Sequence, residues 1–229
     1  MKKMVVLTGA GISAESGLKT FRDGDGLWEG HDITQVATPE AWQRDPALVL
    51  AFYNQRRRQA ATASPNAGHL ALKELESHFE VVIITQNIDS LHEKAGSSKV
   101  IHLHGEIGKA RSTKNPAAII ELAGTELNLG DLGDDGSQLR PHIVWFGEAV
   151  PMMEAAIDQV ISADVFIVAG TSLVVYPAAG LVDYVKEDVP IYIVDPKIPV
   201  VNKKPNMHFI EETASTGLPR VLTKLTDNL

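Results

Sequence analysis

Runs of apolar residues punctuate the chain at Met4–Thr8, Val81–Thr85, Val100–Leu103, Val165–Ala169, Ile191–Val194 and Met207–Ile210. The first five are continuously apolar and rich in Val and Ile rather than alternating. That is the pattern of strands covered on both faces, as in a parallel sheet. Between them lie stretches with helical spacing: Pro39–Ala63, Ala67–His78, Ser90–Ala95, Met152–Ile161, Pro177–Lys186 and Gly217–Leu225. Asn66 is placed to cap the second of these. Strands alternating with helices predict a doubly wound, Rossmann-like parallel α/β sheet. Residues 105–141 break the rhythm. They are Gly-rich and acidic, most visibly in LGDLGDDGS (129–137), and carry one short helical stretch near Pro116–Ala123. They read as a small module inserted into a single domain spanning 1–229.

At 229 residues the chain suits one large domain with such an insertion. The net charge of −8 argues against a general nucleic-acid binder, and no basic tail offsets it. The one basic run, Arg56-Arg57-Arg58, falls in a helical pattern and reads as a solvated face. No apolar run approaches the ~18 residues of a membrane span, and Lys2-Lys3 precede too short an apolar stretch for a signal peptide. A cytoplasmic protein with no membrane partner is expected. Cysteine is absent, which excludes disulfides, thiol chemistry and thiolate metal sites.

The candidate chemistry sits where strands end. After the first strand, Gly9-Ala10-Gly11 turns the backbone with no side chain in the way, and Ile12–Ser16 can open a helix whose free amides face the turn. Strand, Gly turn and helix start together make a phosphate site. Gly9, Gly11 and Ala14 also fit the loose dinucleotide fingerprint, but the acidic residue expected about 20 positions on, after a second strand, is replaced by a polar loop, Ser16–Gly30. Thr85-Gln86-Asn87-Ile88-Asp89 closes the second strong strand; one of its polar residues could simply cap the helix that follows, but the whole string suits a ribose and a carboxamide. In His102-Leu103-His104-Gly105, strand alternation puts both histidines on one face, so spacing alone does not choose between them. Val144–Glu148 reads as an apolar strand segment ending in a turn. Tyr53 and Arg56, at i and i+3 of a helical pattern, share one face. An Arg fork beside a phenol is a carboxylate receptor; the plainer reading is a solvated Arg next to a core Tyr.

The motifs GAGIS, TFR, TQNID, LHG, VWFGE and GTS, in that order, resemble the sirtuin family, the NAD-dependent protein deacylases, over roughly residues 5–220. The resemblance implies NAD as cofactor, held by Gly9, Ala10, Gly11, Ser13 and Thr20, by Gly170, Thr171 and Ser172, and by Val194, Asp195 and Ala214 near the adenosine. Asp195 stands where the family usually has Asn. It implies that Phe21 and Arg22 order a lid over the cofactor, that Gln86 and Asn87 meet the nicotinamide ribose, and that Ile88 and Asp89 hold the carboxamide. Catalytic roles fall to His104, as general base on a ribose hydroxyl, with Asn87 and Asp89. Val144, Trp145, Phe146 and Gly147 would pair with the substrate backbone and wall the acyl-lysine chain. Tyr53 and Arg56, with Thr20, mark the branch that prefers acidic acyl groups such as succinyl and malonyl. By the family mechanism the acyl oxygen attacks the ribose anomeric carbon, nicotinamide leaves, and O-acyl-ADP-ribose is the product; the partners are acylated-lysine proteins or peptides.

The inserted module departs from that family. Where two Cys-x-x-Cys pairs would hold zinc stand Ser112 and Asn115, then Leu132 and Asp135, so no zinc is expected and the module must hold by packing or be partly disordered. Glu106, Asp131, Asp134, Asp135 and His142 could bind a hard cation weakly, although a solvated acidic loop is the simpler reading. A protein ADP-ribosyltransferase and a non-catalytic NAD or ADP-ribose binding module are rival functions, and an NAD dehydrogenase is disfavoured by the missing second strand and acid after the Gly turn.

Overall fold

The computed structural model of the protein describes residues 1–19, 27–28 and 31–227. Its first half contains β1 (Lys3–Thr8), α1 (Gly11–Ala14), β2 (Leu27–Trp28), β3 (His31–Asp32), α2 (Ile33–Val36), α3 (Pro39–Arg44), α4 (Pro46–Thr62), α5 (Ala67–Leu75), β4 (Glu80–Thr85), α6 (Leu91–Lys94) and β5 (Val100–His102). The insertion forms β6 (Gly105–Ser112), β7 (Ile119–Glu121) and β8 (Leu139–Ile143). Then follow α7 (Met153–Ile161), β9 (Val165–Ala169), a 3-10 helix (Ala178–Tyr184), β10 (Ile191–Val194), β11 (Met207–Ile210) and α8 (Ala214–Thr226).

The six apolar runs become one sheet in the order β11-β10-β9-β1-β4-β5, every neighbouring pair parallel. The order reverses between β1 and β9, which creates a switch point with a crevice at the carboxyl ends of the strands. Strand alternation serves both faces. Val5, Leu7, Phe166 and Val168 pack under α7 and the 3-10 helix, while Met4, Val6, Ile83 and Ile167 pack under α5 and α8. This double burial explains why the strands lack polar alternation. Among the described residues no helix is long and apolar enough to cross a membrane.

The expected helix over 39–63 is two helices. Pro46 disfavours helical geometry at Asp45, which lies at φ −150° and ψ 79°. The Asp45 carboxylate instead accepts from the Leu48 amide at 2.9 Å and caps α4. Asn66 caps α5 as expected, its Oδ1 accepting from the Gly68 amide at 2.9 Å. The basic run on α4 is not one solvated face. Successive helical residues point about 100° apart, and α4 lies against the inserted sheet. Arg57 is therefore buried, its Nε donating to the Ile107 carbonyl at 2.7 Å and its Nη1 to Asn54 Oδ1 at 2.6 Å. Burial pulls the Arg57 guanidinium down to about 10. Arg58 is exposed and pairs with Glu126.

The insertion is a three-stranded antiparallel sheet in the order β7-β6-β8. Residues 116–123 hold β7 rather than a helix, because the β-branched pair Ile119-Ile120 lies against the edge of β6. Three of the four positions that stand in for the zinc cysteines come together as a polar knot. Ser112 Oγ accepts from the amides of Lys114 (3.0 Å) and Asn115 (2.9 Å), donates to Asp135 Oδ2 (2.6 Å) and lies 2.7 Å from Ser137 Oγ. Leu132, the fourth, is exposed. The Ser112 and Ser137 hydroxyls and the Ser137 amide pull the Asp135 carboxyl down to about 2. A carboxylate depressed in the folded state stabilises it above the ordinary carboxylate range and stops doing so as pH falls toward 2. Ser112→Ala removes the shared acceptor of the Lys114 and Asn115 amides and the hydroxyl that donates to Asp135. It is expected to lower the melting temperature by roughly 2–8 °C at pH 7, followed by circular dichroism.

Candidate active site

The crevice forms because two Gly turns approach each other across the switch point. The Gly9 amide donates to the Ala169 carbonyl at 3.1 Å and the Gly11 amide to the Gly170 carbonyl at 2.8 Å. A Cβ on Gly11 would meet Gly170 backbone atoms at 2.8 Å, and Gly170 itself sits at φ 64°, where a side chain is strained. The helix that follows is a single turn, Gly11–Ala14, shorter than the sequence suggests. Its contribution is Ser13, buried and turned toward the TQNID strand end.

That strand end is fastened from below. Thr85 Oγ1 accepts from the Thr8 hydroxyl (2.9 Å) and from the Asn87 amide (3.0 Å). Asn87 Nδ2 donates to Ser13 Oγ at 3.0 Å, and Ser13 Oγ donates to Asp89 Oδ2 at 3.0 Å. Asp89 Oδ1 takes the Leu91 amide at 3.0 Å, so the carboxylate serves both α6 and the site. Burial pushes the Asp89 carboxyl up, and the Leu91 amide and Ser13 hydroxyl oppose that shift. Gln86 Nε2 donates to Thr171 Oγ1 at 3.1 Å, which ties this strand end to the loop after β9.

The structure separates the two histidines. β5 stops at His102, so alternation no longer applies at His104. His102 turns away, its Nδ1 donating to the Asn87 carbonyl (3.2 Å) and its Nε2 lying 2.8 Å from Glu93. Burial lowers His102, but the Glu93 carboxylate outweighs it and the net shift is upward. His104 lines the cavity. Its Nδ1 lies 2.9 Å from the Gln86 carbonyl, which can only accept, so the proton is on Nδ1 and Nε2 carries the lone pair. Burial holds His104 below its ordinary value, the Gln86 carbonyl opposing in part.

A cavity of about 330 Å³ gathers most of the expected residues. Its lining includes Gly9, Ala10, Gly11 and Ser13; Gln86, Asn87, Ile88 and Asp89; His104; Gly170, Thr171 and Ser172; Tyr53 and Arg56; and Val144, Trp145, Phe146 and Gly147. Tyr53 is fully buried, and the Trp145 indole Nε1 donates to its hydroxyl at 3.0 Å. Burial drives the phenol well above its ordinary value, despite the opposing indole and the Arg56 and Arg140 charges. It is therefore a protonated phenol at any working pH.

Other residues fall elsewhere. Val194 and Ala214 are packed in the core under α5 and α8, and Asp195 accepts from the Lys197 amide at 2.9 Å; none of the three lines the cavity. Thr20, Phe21 and Arg22 lie outside the described residues. Residues 144–148 are not a strand: β8 ends at Ile143, and the Val144 and Phe146 amides go to the carbonyls of His104 (2.9 Å) and Ala37 (3.0 Å), two unrelated segments. The acidic residues of the insertion do not converge. Among the described residues no three His, Asp or Glu side chains are grouped to hold a metal. Sequence reasoning missed Val174, Val175, Tyr176 and Pro177, which line the cavity mouth. The apolar run directly after Gly170-Thr171-Ser172 was their available signal.

Residues 9–177 match the Sir2 family. An NAD-dependent protein deacylase of Helicobacter pylori (strain ATCC 700392 / 26695) is 54% identical over 227 residues, covering 99% of each chain. A solved Sir2 homologue in complex with NAD superposes with TM-score 0.84 at 38% identity, covering 99% of this chain and 90% of that one. A Sir2 complex with a p53 peptide and NAD+ gives TM-score 0.80 at 30% identity, covering 98% and 94%. With its sheet order, its crevice and these matches, the chain belongs to the Sir2 family, the sirtuins.

Proposed function

We propose that the protein is an NAD-dependent protein-lysine deacylase that favours succinyl- and malonyl-lysine and yields nicotinamide and O-acyl-ADP-ribose. The observation that carries this reading is a single cavity lined by a proton-accepting histidine, a buried amide–hydroxyl–carboxylate network and a Tyr–Arg pair. The residues fit NAD. Glycines at 9, 11 and 170 let the two turns close on each other at the switch point, and Ser13, Gln86, Asn87, Asp89 and Ser172 on the cavity wall supply the donors and acceptors a dinucleotide needs. When bound, NAD supplies an electrophilic ribose carbon with nicotinamide as leaving group.

The remaining work belongs to the chain. Asn87 and Asp89, fixed through Ser13, orient the nicotinamide end. His104 Nε2 takes a proton from a ribose hydroxyl while Nδ1–H stays on the Gln86 carbonyl. Trp145 and Phe146 wall the acyl-lysine chain and exclude water. Tyr53 and Arg56 receive a terminal carboxylate, the phenol as neutral donor and the guanidinium as charged fork. The relatives' activity and the peptide-bound neighbour support an acylated-lysine peptide or protein as partner.

Mass spectrometry of purified protein with NAD and matched acetyl-, malonyl- and succinyl-lysine peptides tests the whole reading. Faster loss of succinyl or malonyl, with equimolar nicotinamide and O-acyl-ADP-ribose, is expected. ADP-ribose on a protein without deacylation would replace it by a transferase, and no nicotinamide release would leave a binding module.

A further inference from the structure

The Tyr53 hydroxyl is held by an aromatic wall that is itself clamped from the inserted sheet. Arg140, on β8, is nine-tenths buried and lays its guanidinium carbon 3.3 Å from the centre of the Trp145 ring. The guanidinium is pinned in that position: Nη1 donates to Glu148 Oε1 at 2.7 Å, and Nη2 to Glu148 Oε2 at 3.1 Å and to the Ile143 carbonyl at 2.9 Å. Glu148 also accepts the Trp145 amide at 2.8 Å and two contacts from Arg111 on β6 at 3.2 and 3.3 Å. One carboxylate thus anchors the Trp145 backbone and, through Arg140, the Trp145 ring. On the ring's own edge, Nε1 donates to Tyr53.

We propose that Arg140 is a positioning residue for acyl-group selectivity, acting through Trp145 on Tyr53. The inference rests on the Tyr53–Arg56 receptor reading above. An indole N–H can only donate, so the Tyr53 oxygen accepts from Trp145 and its own proton is turned away from the indole. If the ring tilts, that orientation is lost. A guanidinium flat on an indole face is the contact that resists tilting, because it combines charge–quadrupole attraction with a planar cover. Lys cannot reproduce it: an ammonium is a point charge without a planar face or a bidentate fork. Arg140 also adds a second positive charge behind Tyr53, beside that of Arg56. The inserted sheet therefore has a task at the acyl pocket through Arg140, beyond the cavity wall that Ile107 of β6 and Ile143 of β8 supply.

The test is a kinetic comparison of succinyl- and acetyl-lysine peptides for Arg140→Lys, Trp145→Phe, the double variant and Arg56→Met, each checked by thermal melting. Arg140→Lys keeps a cation against Glu148, so it guards against simple unfolding. The expected result is a fall of about 3- to 10-fold in the succinyl-to-acetyl ratio of kcat/KM, carried by KM for the succinyl peptide. The double variant should lose no more of that ratio than Trp145→Phe alone, since both act on one hydroxyl. A merely structural role would depress both substrates together and leave the ratio unmoved, and that result overturns the proposal. So does full additivity in the double variant. If Arg56→Met also leaves the ratio unmoved, the receptor reading itself has failed. If Arg56→Met moves it and Arg140→Lys does not, only the role of Arg140 falls.

Discussion

His104→Ala is expected to lower deacylation by roughly 10²–10⁴-fold, the range of a lost general base, while NAD affinity stays within a few-fold. The asymmetry follows from what the side chain holds. Its Nδ1–H bonds to the Gln86 carbonyl, a backbone atom just past the end of β4, which leaves Nε2 for the chemistry. Product formation by mass spectrometry gives the first number and calorimetric titration with NAD the second; retained turnover would remove His104 from the base role. Burial keeps the imidazole below its ordinary value, so it is neutral and competent at pH 7. Activity should fall as pH drops through that lowered value, placing the acid limb of kcat/KM below about 6.5. His102 does not supply the limb. Burial lowers it, but Glu93 raises it further, and it points to Glu93 and the Asn87 carbonyl rather than into the cavity.

The parallel sheet was legible because its strands are buried on both faces. Val165–Ala169, Ile191–Val194 and Met207–Ile210 are strands at the residues where their apolar runs begin and end. The inserted sheet was not legible. GEIGKARS mixes glycine and charge, and its strands depend on α4 packing over them, with Leu50 of α4 meeting Ala110 and Leu139. Periodicity contains no trace of that contact. The same dependence hid Arg57, whose guanidinium meets the carbonyls of Ile107 and Thr125 from outside the helix as well as Asn54 on it. At the site, strand-end motifs could be located because a parallel sheet delivers all its carboxyl ends to one edge. What the motifs could not convey is support. Thr8 beneath Thr85 and Arg140 above Trp145 are ordinary residues whose roles exist only in three dimensions.

Arg56→Met should cut kcat/KM for a succinyl-lysine peptide by roughly 10- to 150-fold and for the acetyl analogue by no more than about threefold. The larger figure corresponds to the loss of a charge-assisted contact worth about 1.5–3 kcal/mol. Met keeps the stem's bulk, so packing on α4 changes little while the charge and the fork disappear. An acetyl group offers no anion to that fork, which is why the loss should be selective. The residual discrimination, if any, belongs to Tyr53, whose phenol remains a neutral donor in the variant. Because Arg56 is only half-buried, part of the attraction is screened, and the wild-type preference for succinyl should narrow between 0.05 and 0.5 M salt, on the scale of a Debye length falling from about 14 to about 4 Å. Equal losses for both peptides would mean that Arg56 supports the helix and the cavity wall rather than the substrate. A selective loss that vanishes at high salt in the wild type as well would locate the selectivity in charge, and leave the hydrogen-bond geometry at Tyr53 as the lesser contributor.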